Sequence, residues 1–360
     1  MGYITFLSLC TLMTAGCSQD TVEGNEPSTG NKEIRLLLSV QNEVESRSVL
    51  ENSEEIQQVD AAQLYIFDGT TEQAKCVDSK DIGWTQPTGG AASQTYTIQA
   101  DWGSEEYLLL AVGTDQDART VYGLPDGIAK GTTLGEAKAK LASGQNYTAI
   151  AKAPVFAGSV TAKAGETKQI TLNRRVAGIL LNIKNIPISF KLADDSSSEP
   201  VEYIQLVLSK NQNSSIPLQA AQNVFGSDPV ENSNVLSSFD LRNDYGAMPG
   251  DGNYYVFEYF KEGAETTTIT HSLFQGMFML PTDRLEGTST LSIQALDGSK
   301  KLLYTWELTN NANRKDYPIE ANCLYQIGSK TATEDQPLDL VRNEIILVPE
   351  YEVIFDIKAP

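Results

Sequence analysis

The 360-residue chain holds one histidine, His271, and four cysteines, and these few side chains bound its chemistry. A nucleophile activated by histidine would have to use His271, which lies between Thr270 and Ser272, and the chain contains no G-x-S-x-G or comparable nucleophile turn. An incidental surface histidine is the plainer reading. The same count removes most zinc sites. Carboxylates are abundant, with Asp+Glu 47 against Lys+Arg 27 and a formal charge of −20. Runs such as Glu54-Glu55 and Asp194-Asp195 lack the D-x-D-x-D-G spacing and distal glutamate of a calcium loop. No pair stands out for glycoside hydrolysis, where the separation of two carboxylates is spatial. Trp84, Trp102 and the cluster Tyr254, Tyr255, Phe257, Tyr259 and Phe260 have the chemistry to stack on sugar rings, and equally to fill a sandwich core. The expectation is a protein with no catalytic, metal or cofactor-binding residues. A balance this acidic also excludes nucleic acid as a partner, because phosphate contacts need clustered Lys and Arg.

Cysteine chemistry is concentrated at the N-terminus. Residues 4–13, ITFLSLCTLM, form an apolar run of signal-peptide length, followed by Thr14-Ala15-Gly16-Cys17. Small residues ahead of a cysteine at the end of such a run resemble a bacterial lipobox. That resemblance makes residues 1–16 a lipoprotein signal and Cys17 the lipidated first residue of the mature chain. The alternative is an ordinary secretory signal that contains a cysteine. Several acyl chains would hold the protein on a membrane where one would not. Residues 17–31 are polar and rich in turn formers, the composition of a tether. Export leaves Cys76 and Cys323, which form no CxxC pair. In an oxidising compartment they either join in a long-range disulfide or remain two separate buried thiols.

The elements that would position these residues are almost all strands. IRLLLSV (34–40) places Ile34, Leu36 and Leu38 on one face with Val40 in phase. QTYTIQA (94–100) alternates cleanly, whereas YLLLAV (107–112) and VAGILLNI (176–183) are apolar on both faces, as central strands are. Residues 155–160 and 168–172 form a hairpin, and further strand patterns follow at 201–209, 253–260, 273–280, 289–296, 301–308, 322–327 and 345–357. The capping-box pattern Thr133-Leu134-Gly135-Glu136 predicts one short helix running to Leu141, stopped by Ser143-Gly144. The fold class is therefore all-β, two sandwich domains with a short helix in the first. The polar stretch 190–200 sets the boundary, giving domains at 32–185 and 186–360.

Several stretches in this order are similar to the fimbrillin superfamily, the lipoprotein pilins of Bacteroidetes. They are the lipobox and tether, IRLLLSV followed by Glu45-Ser46-Arg47-Ser48 and AAQLYIFD, then Asn173-Arg174-Arg175-Val176-Ala177-Gly178-Ile179-Leu180. FQGMFMLPT (274–282), LSIQALDGSKKLLYTWEL, Asn322-Cys323-Leu324-Tyr325-Gln326-Ile327 and EIILVPEYEV complete the set. The resemblance implies two tandem transthyretin-like β-sandwiches. It also implies a structural subunit of a cell-surface fimbrium that serves adhesion or biofilm formation from the outer membrane. In such pilins an arginine-specific protease removes the first strand, and a neighbour's extended segment fills the groove. Arg47 lies where that cut would fall, with an ordinary exposed arginine as the alternative. The exchanged strand would present Ile34, Leu36, Leu38 and Val40. A C-terminal donor would present Ile345, Leu347, Tyr351, Val353 and Phe355, a pattern that also suits a central strand. The implied partners are other fimbrial subunits, a membrane reached through the Cys17 lipid, and a host or bacterial surface receptor. Two alternatives stay open: a fimbrial anchor or tip subunit that keeps its lipid, and a stand-alone glycan-binding surface lipoprotein.

Overall fold

The computed structural model describes residues 33–40, 59–84, 93–101, 103–124, 126–191, 197–219, 225–226, 228–259, 268–270, 272–310, 314–330, 335–340, 346–348 and 350–351. Contacts divide the chain into Met1–Asn31 and Lys32–Pro360, and all of these residues belong to the second unit. Cys17, Arg47, His271, Trp102, Ile345, Val353 and Phe355 lie outside the described residues.

The first set of strands is β1 (Glu33–Val40), β2 (Ala61–Phe67), β3 (Cys76–Ile82), β4 (Ser93–Gln99), β5 (Tyr107–Thr114), β6 (Lys138–Lys140), β7 (Val155–Ala162) and β8 (Thr167–Arg174). Seven of them form one sheet in the order β3-β2-β5-β7-β8-β1-β4. The hairpin β7–β8 makes this sheet into a sandwich. Its strands pair only at Phe156↔Arg174 and Ala157↔Asn173, then part, so β7 continues beside β5 and β8 beside β1. The two layers close on a core that includes Ile34, Leu36, Leu38, Leu64, Ile66, Leu109, Ile170 and Leu172. Gly158 permits the close approach of β7 and β8, since a Cβ there would stand 2.1 Å from the Thr171 carbonyl oxygen.

The predicted helix at 133–141 is corrected. The Thr133–Glu136 box does form, the Glu136 carboxylate accepting from the Thr133 hydroxyl at 2.8 Å, but it closes a single 3-10 turn, Leu134–Glu136. The next residues become β6, which pairs with β13 (Ser215–Pro217) and buries Ala139. A long-range ladder here overrides local helix propensity. The α-helix of this half is α1 (Gln116–Val121), started by the Asp115 carboxylate accepting from Ala118 N–H at 2.6 Å.

The second set begins at β9 (Ala177–Lys184), followed by β10 (Ser189–Lys191), β11 (Ser198–Pro200), β12 (Tyr203–Leu208), β13, β14 (Val235–Asp240), β15 (Ala247–Pro249), β16 (Tyr255–Tyr259), β17 (Thr268–Thr270), β18 (Ser272–Met279), β19 (Leu291–Leu296), β20 (Leu302–Asn310), β21 (Leu324–Ile327), β22 (Ser329–Lys330), β23 (Asp335–Gln336), β24 (Leu338–Asp339), β25 (Ile346–Val348) and β26 (Glu350–Tyr351). Sheets β14-β12-β19-β20-β25 and β18-β9-β21-β26 close on a core containing Ile179, Leu181, Ile183, Leu206, Ile293, Trp306 and Tyr325. The boundary at 185 therefore moves. β9 pairs with β18 and β21 and gives its Ile179, Leu181 and Ile183 side chains to the second core, so the change of sandwich falls before Ala177.

The two sandwiches share a third cluster, in which Tyr65, Phe67 and Val112 meet Ile216, Leu218, Phe278 and Leu280. The Arg174 guanidinium lies 5.6 Å from the Phe156 ring centre and 5.3 Å from that of Phe278, one ring from each half. Arg175 donates to the Pro217 carbonyl at 3.1 Å. Burial lowers both guanidinium groups to about 10, which leaves them charged at neutral pH.

Candidate functional site

The site is the slot that β1 fills. Its sequence alternates so that Ile34, Leu36 and Leu38 are fully buried, while Arg35 is exposed and Leu37 half-buried. Its backbone is paired on both sides. Against β4 it runs antiparallel, from Glu33↔Gln99 to Ser39↔Ser93, and against β8 it runs parallel, from Arg35↔Thr167 to Val40↔Leu172. The turn after β7 holds its start: Gly165 N–H donates to Glu33 O at 2.8 Å, and Arg35 N–H donates to Glu166 O at 3.0 Å. β1 is thus an inner strand supplied by the extreme end of the body. Its loss would leave two ladders without a partner and an apolar trench lined by Leu64, Leu109, Ile170 and Leu172. The alternation was legible in the sequence, and the structure places Ile34, Leu36 and Leu38 together on the core face. Val40 is the last residue of the ladder to β8.

The C-terminal candidates are placed differently. β25 runs parallel to β20, pairing Leu347 with Thr309. β26 runs antiparallel to β21, pairing Tyr351 with Leu324. Leu347 and Tyr351 therefore sit on different sheets of the chain's own second sandwich.

The other candidates resolve into structure. Cys76 and Cys323 are free thiols, so the disulfide between them is not formed. Cys76 is buried in the shared cluster with its thiol donating to Asp78 O at 3.4 Å, and burial pushes that thiol up, whereas Cys323 is half-buried beside the second core. Tyr255 and Phe257 are core residues, and the Tyr255 hydroxyl donates to Val201 O at 2.7 Å, so neither offers a ring to a sugar. Trp84 packs half-buried on the first core. Among the described residues no group of three or more His, Cys, Asp and Glu could hold a metal ion. No helix among them is long and apolar enough to cross a membrane.

Sequence reasoning missed Asp115. It is buried at the start of α1, and desolvation, with Asp117 and Asp60 nearby, pushes its carboxyl up to about 7. A lone aspartate before a six-residue helix gives no periodic signal, although its place as an N-cap is readable in hindsight. Also missed was β3, whose Asp78 and Lys80 share the face of Ile82 and pair with each other at 2.7 Å. Partly exposed charges on the Ile82 face of an edge strand disguise it in hydropathy and discourage edge-to-edge pairing.

The profile of the family described as fimbrillin-A associated anchor proteins Mfa1 and Mfa2 matches residues 28–337. Comparison with curated proteins gives no match. The similar solved structures include two fimbrial proteins. The tip fimbrial protein Mfa3 from Porphyromonas gingivalis, with a C-terminal truncation, is 11% identical, with 84% of this chain and 96% of that one covered and a TM-score of 0.39. A fimbrial assembly protein from Parabacteroides distasonis is 13% identical, with 84% and 92% covered and a TM-score of 0.34.

Proposed function

The chain belongs to the family of fimbrillin-A associated anchor proteins, and from that membership we propose that it is a non-catalytic subunit of a cell-surface fimbrium whose first strand is exchangeable. One observation carries the reading: β1, the first strand of the body, is an inner strand with three fully buried side chains. Cleavage after Arg47 would free β1 with its tether. A neighbour's extended segment would then restore both ladders and the apolar contacts, which is β-strand addition. Before cleavage the Cys17 lipid would hold the subunit on the outer membrane, and afterwards the subunit would stay only through its neighbours. The finished polymer would serve adhesion or biofilm formation through a receptor on a host or bacterial surface.

The family description favours a second reading, an anchor that keeps β1 and its lipid and ends the polymer. A chain of residues 48–360, compared with one of residues 18–360 by native mass spectrometry, tests the exchange. Polymerisation by β1 loss gives ladders of the shorter chain only, and excess peptide of sequence EIRLLLSV dissolves them. A shorter chain that stays monomeric refutes strand exchange. If it also binds polysaccharide, it is a stand-alone glycan-binding lipoprotein.

A further inference from the structure

We infer that β4 is a hinged wall of the β1 slot, folded onto the sandwich only while a strand occupies it. This rests on the reading of β1 as exchangeable, and it names the part of the body that responds to the exchange. The two walls of the slot are held differently. β8 is tied to β7 through Phe156↔Arg174 and Ala157↔Asn173 and through the turn whose Gly165 and Glu166 grip β1. It also places Ile170 and Leu172 in the core. β4 is the terminal strand of the sheet, and among the described residues it pairs with β1 alone.

The side chains of β4 hold it weakly. Thr95, Thr97 and Gln99 are exposed, Ile98 is in the buried core with Ala100 just after the strand, and Tyr96 packs half-buried against that core. The side-chain bond from Gln99 runs to Glu33, on β1 itself. Removing β1 therefore takes away the whole ladder of β4 and leaves Ile98, the small Ala100 just beyond it and the half-buried Tyr96 to order the strand. That is too little to offset the conformational entropy of the segment. β8 loses the ladder of Thr167–Leu172 but stays joined to β7 at Asn173 and Arg174 and keeps Ile170 and Leu172 in the core.

The empty acceptor is consequently a one-walled shelf on β8. An incoming strand lands parallel to β8 first, and β4 then closes antiparallel on its far edge. The occupant that fits is an extended segment of about eight residues with apolar side chains at alternate positions, running in the direction of β1. It has to offer backbone donors and acceptors on both edges, so a helix or a proline-interrupted segment would not close β4.

Hydrogen exchange measured by mass spectrometry tests this on the full chain with a specific protease site placed in residues 41–58. After cutting and removal of β1, amides of β4 are expected to exchange at least 100-fold faster, while β2, β5 and β7 change little. Peptide EIRLLLSV should restore the slow exchange of β4. Retained protection of β4 in a chain shown by mass to lack β1 overturns the inference. So does equal loss of protection in β2, β5 and β7, which would mean that the whole sandwich opens. If the cut strand stays bound, Leu36→Ala in the uncut chain gives the second measurement. Faster exchange in β1 and β4 together supports the hinge, and faster exchange in β1 alone overturns it. None of these results depends on whether cells cut the chain at Arg47, so the fate of strand processing and that of the hinge are read separately.

Discussion

Leu36→Ala and Leu37→Ala form a matched pair that tests the register of β1. The two leucines are neighbours in one strand. Leu36 is fully buried among the residues of the first core, and Leu37 is half-buried on the opposite face. Truncating a buried leucine costs roughly 2–5 kcal/mol, because the lost transfer energy adds to the cavity left behind. Leu37→Ala removes partly solvated atoms and opens no enclosed cavity, so about 1 kcal/mol or less is expected. Alanine also lowers strand propensity, by a few tenths of a kcal/mol, but equally at both positions, so the difference cancels it. The readout is the urea midpoint at unchanged slope, followed by tryptophan fluorescence. A gap of at least about 1.5 kcal/mol between the variants is expected. Equal losses, or a larger loss for Leu37→Ala, would refute the assignment of the buried face and with it the trench. The same arithmetic explains why the slot needs an occupant. Ile34, Leu36 and Leu38 together contribute roughly 5–9 kcal/mol of burial, comparable with the whole net stability of a typical domain.

Gly158→Val should destabilise by upward of about 3 kcal/mol, since its Cβ would meet the backbone oxygen of Thr171 at 2.1 Å. Gly83→Ala, with nothing within 4 Å of the added Cβ, should stay within about 0.5 kcal/mol of the parent in the same urea titration. Asp115 has a folded pKa raised to about 7 from 3.8, so the folded state binds more protons than the unfolded state between those values. Its contribution is therefore present in acid and is lost as pH rises from about 4 through 7. Asp115→Asn keeps a capping side chain and should be more stable than the parent at pH 8 by no more than about 4 kcal/mol, with the gap closing below pH 4. A constant gap across pH would contradict the buried charge. In a chain of residues 18–360, two thiols should titrate after unfolding without reductant, and Cys323 should react before Cys76 in the folded protein. Loss of both thiols to an intramolecular bond would show that the pair does come together.

The parts of this fold that sequence revealed are those written in local alternation. Ile34, Leu36 and Leu38 share a face whatever their neighbours are, and the apolar runs at 107–112 and 176–183 announce inner strands. What alternation cannot carry is the identity of a strand's partners. β1 lies beside β8, whose residues are some 130 positions away, and nothing in either segment specifies that pairing. The same limit explains the boundary. The run at 176–183 follows the first hairpin directly, yet its Ile179, Leu181 and Ile183 side chains find their cavity in the second sandwich. At 138–140 a good helix-forming stretch was taken by a distant strand, and at Asp78 and Lys80 an edge strand carried charge on its Ile82 face. Both are cases in which tertiary context outweighs local preference.

Strand exchange requires that β1 leave the body in life. The most direct test is the mature N-terminus of the protein on the cells that make it, read by mass spectrometry of surface fractions. The expected result is a chain beginning at Ser48, with the Glu33–Val40 strand absent from it. A lipidated Cys17 still joined to β1 would contradict the exchange and leave an anchor or a stand-alone surface lipoprotein in its place.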